Sequence, residues 1–518
     1  MSRNPSHIRL ASALLLGVVL TQPAWSEPEP QSASPTELII MHATLLSPER
    51  AAPLEDAWVR VRGDRIVETG SGPTDIGTAR VVDAENGFLI PGLIDSHVHL
   101  YHATGLRRRD SAEYAALYRD YMEQQPRSFL FHGFTTVIEL NADAATNARF
   151  EAAPLRPHLV HCGQGVVLSD GFMALELEGE PVGDSYPGYL IDSHANGLVP
   201  EGADAAAHTP EAVVAAVVGQ GGQCIKLYYE EALWWPGGAP PFRLPSVAIA
   251  REVVRAAHAE HLPVLLHATT PAGHAFALDA GVDILAHGMW EWTGQSFTDP
   301  QPSAEIAEIA RRVAHSTIAV QPTIQTIRNT ASLFDATVLE DGGWAHVVPP
   351  AYLEYLRGDA QLQRQHFIGM FGEMIAEGGD GADMGAAQSA FLNRYEDLIW
   401  EMYAEQARFL FGSDTAVGGF GWASPPGLAG YWEMQNWADA GLSLQNLFRG
   451  LTIENAAAFG LADEIGTIEV GKRADLLILD TNPLADVAAY DRINTVILAG
   501  QALDRSALSA RQSAVAQD

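Results

Sequence analysis

The feature that most constrains this chain is the alternation, across residues 87–461, of short apolar runs with longer helix-like segments. Such a pattern belongs to parallel β-strands joined by crossover helices, since parallel neighbours need a long connection to return the chain to the same edge. Eight candidate strands can be read: Phe88 to Ile94, Thr135 to Leu140, His158 to Cys162, Cys224 to Tyr229, Pro263 to Ala268, Ile284 to His287, Thr317 to Pro322 and Phe409 to Ser413. The class expected is α/β, with the strands closing into a barrel. The interval Gln325 to Arg408 is long and largely of helical composition, and is expected to cover the barrel mouth.

The two ends differ from this middle. Glu37 to Leu46, Ala57 to Arg62 and Arg65 to Val67 are short β-rich runs broken by turn residues such as Gly63-Asp64. Ile465 to Val470, Ala474 to Asp480 and Thr495 to Leu498 repeat that character. Two β-rich ends around one long α/β middle are expected to pair as a single discontinuous β domain, residues 37–86 with 462–505, leaving a tail at 506–518.

Ahead of these lies a basic start with Arg3 and Arg9, an apolar run from Leu10 to Leu20, and small residues at Ala24-Trp25-Ser26. This is the layout of a secretory signal, residues 1–26, followed by a polar linker at 27–36. The run is short of the ~20 residues that span a bilayer, so an exported, periplasmic or secreted protein with no stable membrane insertion is expected. A formal charge of −33 argues against nucleic acid as a partner. The only cysteines, Cys162 and Cys224, are read as buried free thiols, although an oxidising compartment would permit a pair.

Chemistry concentrates at the ends of the candidate strands. His97 and His99 close the first, and alternation along a strand puts both imidazoles on one face, where they can share a borderline metal. His267, His287 and Asp414 each fall at or just after the C-terminal end of a different strand, the rim where barrel enzymes carry their catalytic groups. Lys226 lies inside the fourth strand, where a charged ammonium is costly to desolvate. Of 31 basic residues only Lys226 and Lys472 are lysines, so an amine has been kept where arginine is otherwise the rule. A neutral amine can add carbon dioxide to give an anionic carbamate able to join two cations, which arginine cannot do. The plainer alternative pairs Lys226 with Asp414 or Glu230, while Lys472, in a Gly-Lys-Arg turn, reads as a solvated charge. Tyr228 is two residues from Lys226 on the same side of the strand, and Tyr229, Trp234, Trp235, Trp290 and Trp292 add aromatic surface on nearby loops.

The segments Pro91-Gly92-Leu93-Ile94-Asp95-Ser96-His97-Val98-His99, Gly133-Phe134-Thr135-Thr136-Val137, Ala280-Gly281-Val282-Asp283-Ile284-Leu285-Ala286-His287-Gly288, Gly412-Ser413-Asp414 and Gly466-Thr467-Ile468-Glu469-Val470-Gly471-Lys472-Arg473-Ala474-Asp475-Leu476 together resemble the amidohydrolase superfamily, in particular its imidazolonepropionase-like and dipeptidase-like branches. The resemblance implies a distorted (β/α)8 TIM-like barrel with a small β-sandwich made from both chain ends. It also implies two divalent metal ions, zinc being the expected identity, held by His97 and His99 on one side and His267 and His287 on the other. Carboxylated Lys226 would join them, and Asp414 would be a ligand that also moves protons. Independently of the resemblance, the place of Tyr228 two residues from Lys226 makes it the aromatic expected to touch the substrate carbonyl. The sequence departs from common members at Glu139, where an Asp often stands, and in Leu227-Tyr228-Tyr229-Glu230.

The expected reaction is hydrolysis of an amide bond in a dipeptide or N-acyl amino acid by a metal-bridging hydroxide, with a small-molecule substrate and room for a homo-oligomer. Opening of a cyclic amide or lactone uses the same chemistry. A noncatalytic binding protein on the same scaffold is the reading from another class.

Overall fold

Gly92 divides what reads as one strand. In the computed structural model, which describes residues 37–106, 112–175, 181–232, 242–376, 384–416 and 422–515, the run Phe88 to Ile94 separates into two elements that enter different sheets. A Cβ at Gly92 would stand 2.1 Å from Thr135 Oγ1, so only glycine lets the chain turn this close to the neighbouring strand. The expected signal and linker, Trp234, Trp235, part of the long insertion and the end of the tail lie outside the described residues.

The strands, in chain order, are β1 (Glu37–Leu45), β2 (Leu54–Arg62), β3 (Arg65–Ser71), β4 (Arg80–Asp83), β5 (Phe88–Pro91), β6 (Leu93–Val98), β7 (Phe134–Glu139), β8 (His158–His161), β9 (Ile225–Tyr228), β10 (Val264–His267), β11 (Ile284–Ala286), β12 (Ala319–Gln321), β13 (Arg408–Phe409), β14 (Leu476–Leu479), β15 (Ile493–Leu498) and β16 (Gln501–Asp504). The two chain ends meet in one sheet ordered β16-β15-β14-β5-β1-β2-β3, with β4 paired to β1. Its centre joins the termini directly, because β14 runs antiparallel to β5 with Leu476 opposite Pro91. A separate apolar core from both ends, including Ile40, Val59, Leu89, Leu476 and Ile497, supports it.

β6 to β13 are the barrel strands. Parallel ladders run β6-β7-β8 and β9-β10-β11-β12-β13. At the two seams the ladder gives way to individual bonds. Ser96 N donates to Phe411 O at 3.1 Å and Asp414 N to His97 O at 2.8 Å across one. Across the other, Gln223 N donates to His161 O and Val166 N to Lys226 O, both at 2.8 Å. These bonds complete a distorted (β/α)8 barrel. Every residue of β6 and β7 is buried, as strands covered on both faces must be. Alternation divides each strand: Val264 and Leu266 pack against the outer helices, while Leu265 joins Ile94, Ile138, Val160, Ile284 and Ala319 in the interior.

The covering helices start where the chain provides caps. Thr270 accepts from Gly273 N ahead of Pro271–Ala280, and Ser246 accepts from Ile249 N ahead of Val247–Ala259, whose Ile249, Ala250, Val253, Val254 and Ala257 form the buried stripe. Within the long insertion, Pro350–Ala376 reaches the loop after β6 through Tyr352 Oη to Thr104 O at 2.7 Å and Gln363 Nε2 to Gly105 O at 3.0 Å. Met384–Ala404 reaches the loops after β11 and β12: Arg394 donates to Ser296 O at 2.7 Å, and Tyr395 donates to Pro322 O and accepts from Gly288 N.

Two expectations are corrected. Cys162 and Cys224 form a disulfide across the β8/β9 seam rather than remaining free thiols, because the staggered strand ends bring their Cα atoms to 4.4 Å. Lys472 is buried rather than solvated: its Nζ donates to Thr467 Oγ1 and pairs with Glu469 at 3.1 Å, which offsets the loss of water. Among the described residues, no helix is long and apolar enough to cross a membrane.

Candidate metal centre

At the C-terminal ends of the barrel strands the chain places six groups around one small volume. Ligand atoms of His97, His99 and Asp414 lie within 4.8 Å of one another. Asp414 Oδ1 is 3.1 Å from His97 Nε2 and 3.2 Å from His99 Nε2. The His287 ring centroid lies 5.1 Å from that of His97 and 4.8 Å from that of His267. Lys226, 1% exposed, points inward from β9, and its Nζ stands 5.8 Å from the centre of the Tyr228 ring. The backbone bends sharply to present this set: His287, Thr323 and Asp414 all have positive φ, at 100°, 47° and 55°. Non-glycine residues held there are strained, and such strain clusters at functional sites.

Three of the four imidazoles are held by a hydrogen-bond partner. Gln321, at the end of β12, donates through Nε2 to Ser96 O at 2.9 Å and Ser96 Oγ at 2.7 Å, which turns its carbonyl oxygen to His97 Nδ1 at 3.1 Å. His267 Nε2 meets Glu230 Oε2 at 2.8 Å, and His287 Nδ1 meets Thr323 Oγ1 at 2.9 Å. Thr326 Oγ1 donates to Asp414 Oδ2 at 3.1 Å. Behind the first strand, buried Asp95 accepts from Ser413 N at 2.9 Å and from Ser413 Oγ at 2.5 Å, tying β6 to the segment that carries Asp414. Glu139 accepts from Leu100 N and from Asn141 N, so it shapes the ends of β6 and β7.

Burial sets most of the protonation behaviour. It pushes His97 and His267 down to about 3, with Lys226 adding to the effect, and His287 well below its ordinary range. Burial also opposes protonation of His99, but Asp414 and Glu139 outweigh it and hold that ring up at about 9. Lys226 is brought down to about 7 by burial, partly offset by Asp414 and Glu139, so a neutral amine is accessible near neutral pH. Among the described residues no carboxylate lies within ion-pair distance of Lys226, and Glu230 is engaged by His267 instead. Burial raises Asp414, yet His97, His99 and His287 win and keep its carboxyl well below the usual range.

The chemistry of the set fits a divalent cation. His97 Nδ1 is committed to Gln321, so Nε2 presents a lone pair, buried and without a hydrogen-bond partner, 3.1 Å from a carboxylate oxygen. Two acceptors so close repel unless a positive charge lies between them.

Of the aromatic residues marked in the sequence, Tyr228 and Trp290 stand at the site, 5.8 Å from the His267 ring and 4.9 Å from the His287 ring. Tyr229 instead packs on Phe276, and Trp292 is buried against the Arg394 guanidinium. Phe172, which the sequence reading passed over, stacks on His267 at 5.7 Å with 10° between the planes. Gln321, Thr323, Thr326 and Asp95 were also passed over. For Gln321 and Asp95 the available signal is a polar residue within a strand run, while Thr323 and Thr326 lie on the turn and helix after β12 and carry no such signal.

The model of the amidohydrolase family matches residues 88–503. The chain is similar to the imidazolonepropionase of Alkaliphilus metalliredigens, 39% identical over 64 residues, which are 11% of this chain and 15% of that one. It is also similar to the imidazolonepropionase of Streptomyces coelicolor, 28% identical over 165 residues, 27% of this chain and 42% of the relative. These alignments therefore span less than half the length of either relative. Among solved structures, a Xaa-Pro dipeptidase with bound methionine in the active site has a TM-score of 0.60 at 20% identity, covering 90% of this chain and 100% of that one. The A. niger ochratoxinase has a TM-score of 0.61 at 17% identity, covering 91% and 96%. Both share the fold.

Proposed function

Because the chain belongs to the amidohydrolase family, metal-dependent hydrolases acting on carbon–nitrogen bonds, we propose that it cleaves the amide bond of a dipeptide or N-acyl amino acid with two divalent ions, zinc being the simplest choice. The observation that carries this reading is the buried, unpartnered His97 Nε2 facing Asp414, surrounded by four more metal-capable groups. His97, His99 and Asp414 would hold one ion and His267 and His287 the other. Lys226, through its carbamate, would hold both: the neutral amine adds carbon dioxide, an N–C bond forms, and one amine proton leaves. When bound, the ions supply Lewis acidity and make hydroxide available at neutral pH.

The chain's own residues do the rest. Asp414, steadied by Thr326, takes the proton of the attacking water and returns it to the leaving nitrogen as the C–N bond breaks. The Tyr228 hydroxyl supports the carbonyl oxygen as charge develops on it. The half-buried rings of Phe172, Tyr228 and Trp290 favour an apolar or aromatic group next to the scissile amide. Export to an oxidising compartment is supported by the amino-terminal pattern and by the Cys162–Cys224 disulfide.

The test is a hydrolysis screen of dipeptides, N-acyl amino acids, cyclic amides and lactones, run on mature protein of measured metal content. Turnover of open amides, faster for aromatic than for small side chains, is expected. Turnover confined to cyclic substrates would move the assignment to ring opening. No turnover and no bound metal after reconstitution would leave a binding protein on this scaffold.

A further inference from the structure

The two metal positions differ in how their histidines are held, and this difference decides which ring nitrogen can act as ligand. Gln321 is fully buried and has one orientation that satisfies its surroundings: its amide group donates to the carbonyl and hydroxyl of Ser96, both acceptors at these contacts. Reversing the amide would set its oxygen against the Ser96 carbonyl, two acceptors at hydrogen-bond distance, a costly arrangement in a buried site. The carbonyl oxygen of Gln321 must therefore face His97, and a carbonyl can only accept. His97 carries its proton on Nδ1.

At His267 the order is reversed. Its Nε2 lies against Glu230 Oε2, while Glu230 Oε1 accepts from Ala232 N at 2.5 Å, so the carboxylate is fixed from the backbone side. Glu230 is 5% exposed and meets no basic side chain within ion-pair distance among the described residues except His267. An ionised Glu230 can only accept, and the proton on this ring then sits on Nε2 and leaves Nδ1 for the centre.

We propose that Gln321 and Glu230 are positioning residues that select Nε2 of His97 and Nδ1 of His267 as the ligating atoms. A neutral amide serves the first position and a carboxylate the second. The partner of a ligating histidine fixes both its tautomer and its orientation, and losing it commonly weakens metal binding by about 10–100-fold. The inference rests on the reading that the site holds two divalent ions, and the experiment separates the two claims.

Protein with nitrogen-labelled histidine is stripped of metal, and long-range proton–nitrogen correlation spectra report the tautomer of each ring. His97 is expected as the Nδ1–H form and His267 as the Nε2–H form. The opposite form at either ring overturns the proposal for that ring. Zinc is then titrated against a chromophoric chelator for native protein, Gln321→Met, Glu230→Gln and Glu230→Leu. Gln321→Met keeps the volume but not the acceptor, and one zinc equivalent should weaken about 10–100-fold. Glu230→Gln keeps an acceptor for Nε2–H and should retain more affinity than Glu230→Leu. If all three variants bind both equivalents as native protein does, these residues have no positioning role. If native protein binds no zinc, the functional reading fails, while the spectra still decide the tautomers.

Discussion

The barrel has two seams, and they are closed by different means. Between β13 and β6 the closure is polar: Asp95 holds Ser413, Ser96 Oγ donates to Phe411 O at 2.7 Å, and Asn455 Nδ2 donates to Ile94 O at 2.9 Å and Phe411 O at 2.8 Å. Between β8 and β9 a covalent bond, Cys162–Cys224, set among apolar neighbours, reinforces the two backbone hydrogen bonds. The first seam must bring groups from both sides to one point, His97 and His99 from β6 and Asp414 from beyond β13. A web of directional bonds fixes their relative register. The second seam delivers one group, Lys226, from one strand, and needs only to stay shut.

The largest effects are expected where each seam delivers its reactive group. Asp414→Asn keeps an oxygen donor but cannot take a proton, so much of the metal should remain while turnover falls by about 10²–10⁴. Near-native rates at full metal occupancy would remove Asp414 from proton transfer. Lys226→Arg preserves charge and approximate length but cannot form a carbamate, and should lose at least one metal and most activity. Lys226→Ala should be similarly impaired and partly restored by a small carboxylic acid in solution. A Lys226→Arg protein with two metals and native turnover would falsify the carbamate.

Smaller effects separate the closures themselves. Cys162 and Cys224 are 62 residues apart, and a loop of that length corresponds to about 4 kcal/mol of chain entropy. Unfolding of the metal-free protein with denaturant, with and without reductant, measures this directly, and equal midpoints would mean that the covalent seam adds nothing. Asp95→Ala leaves Ser413 N–H and His97 N–H without their buried acceptor, at about 1–3 kcal/mol for each orphaned group, while the Ser413 hydroxyl keeps Thr415 Oγ1 at 2.7 Å. Its signature should be a loss of metal affinity as well as stability, because the polar seam sets ligand register. A stability loss alone would reduce Asp95 to a structural tie.

The sequence made the candidate site readable because strand alternation carries His97 with His99 and isolates Lys226 among apolar neighbours. Gly412-Ser413-Asp414 stood out for the same reason, as polar residues following an apolar run. The break at Gly92 was hidden, since Leu89-Ile90 and Leu93-Ile94 continue one apolar run and only the approach of Thr135 forces the division. The disulfide depends on the stagger of β8 against β9, a distance no local pattern encodes. Gln321 is an ordinary strand-end amide until Ser96, far away in the chain, turns it toward His97.

Acid offers a last test, because it acts on buried histidines lying away from both seams. His132 is buried with neither ring nitrogen hydrogen-bonded, and burial holds it well below its ordinary range. His274, on the helix after β10, is pushed down to about 3 by burial. In the unfolded chain such a ring titrates near 6.5. Above that pH both states are neutral and the residue contributes no pH dependence. Between about 6.5 and about 3 the unfolded state binds a proton that the native state excludes, so stability falls as pH falls, by about 1.4 kcal/mol per pH unit for each ring. His99 works in a different window: its raised folded value contributes stability below about 6.5 that is lost as pH rises toward about 9. Urea unfolding of the metal-free protein at pH 6 and pH 5 should therefore show a shallower decline for His274→Leu than for the native chain. The difference in slope should approach one proton. Identical slopes would mean that His274 is protonated in the fold, and would shift the acid sensitivity to His132 and the histidines of the polar seam.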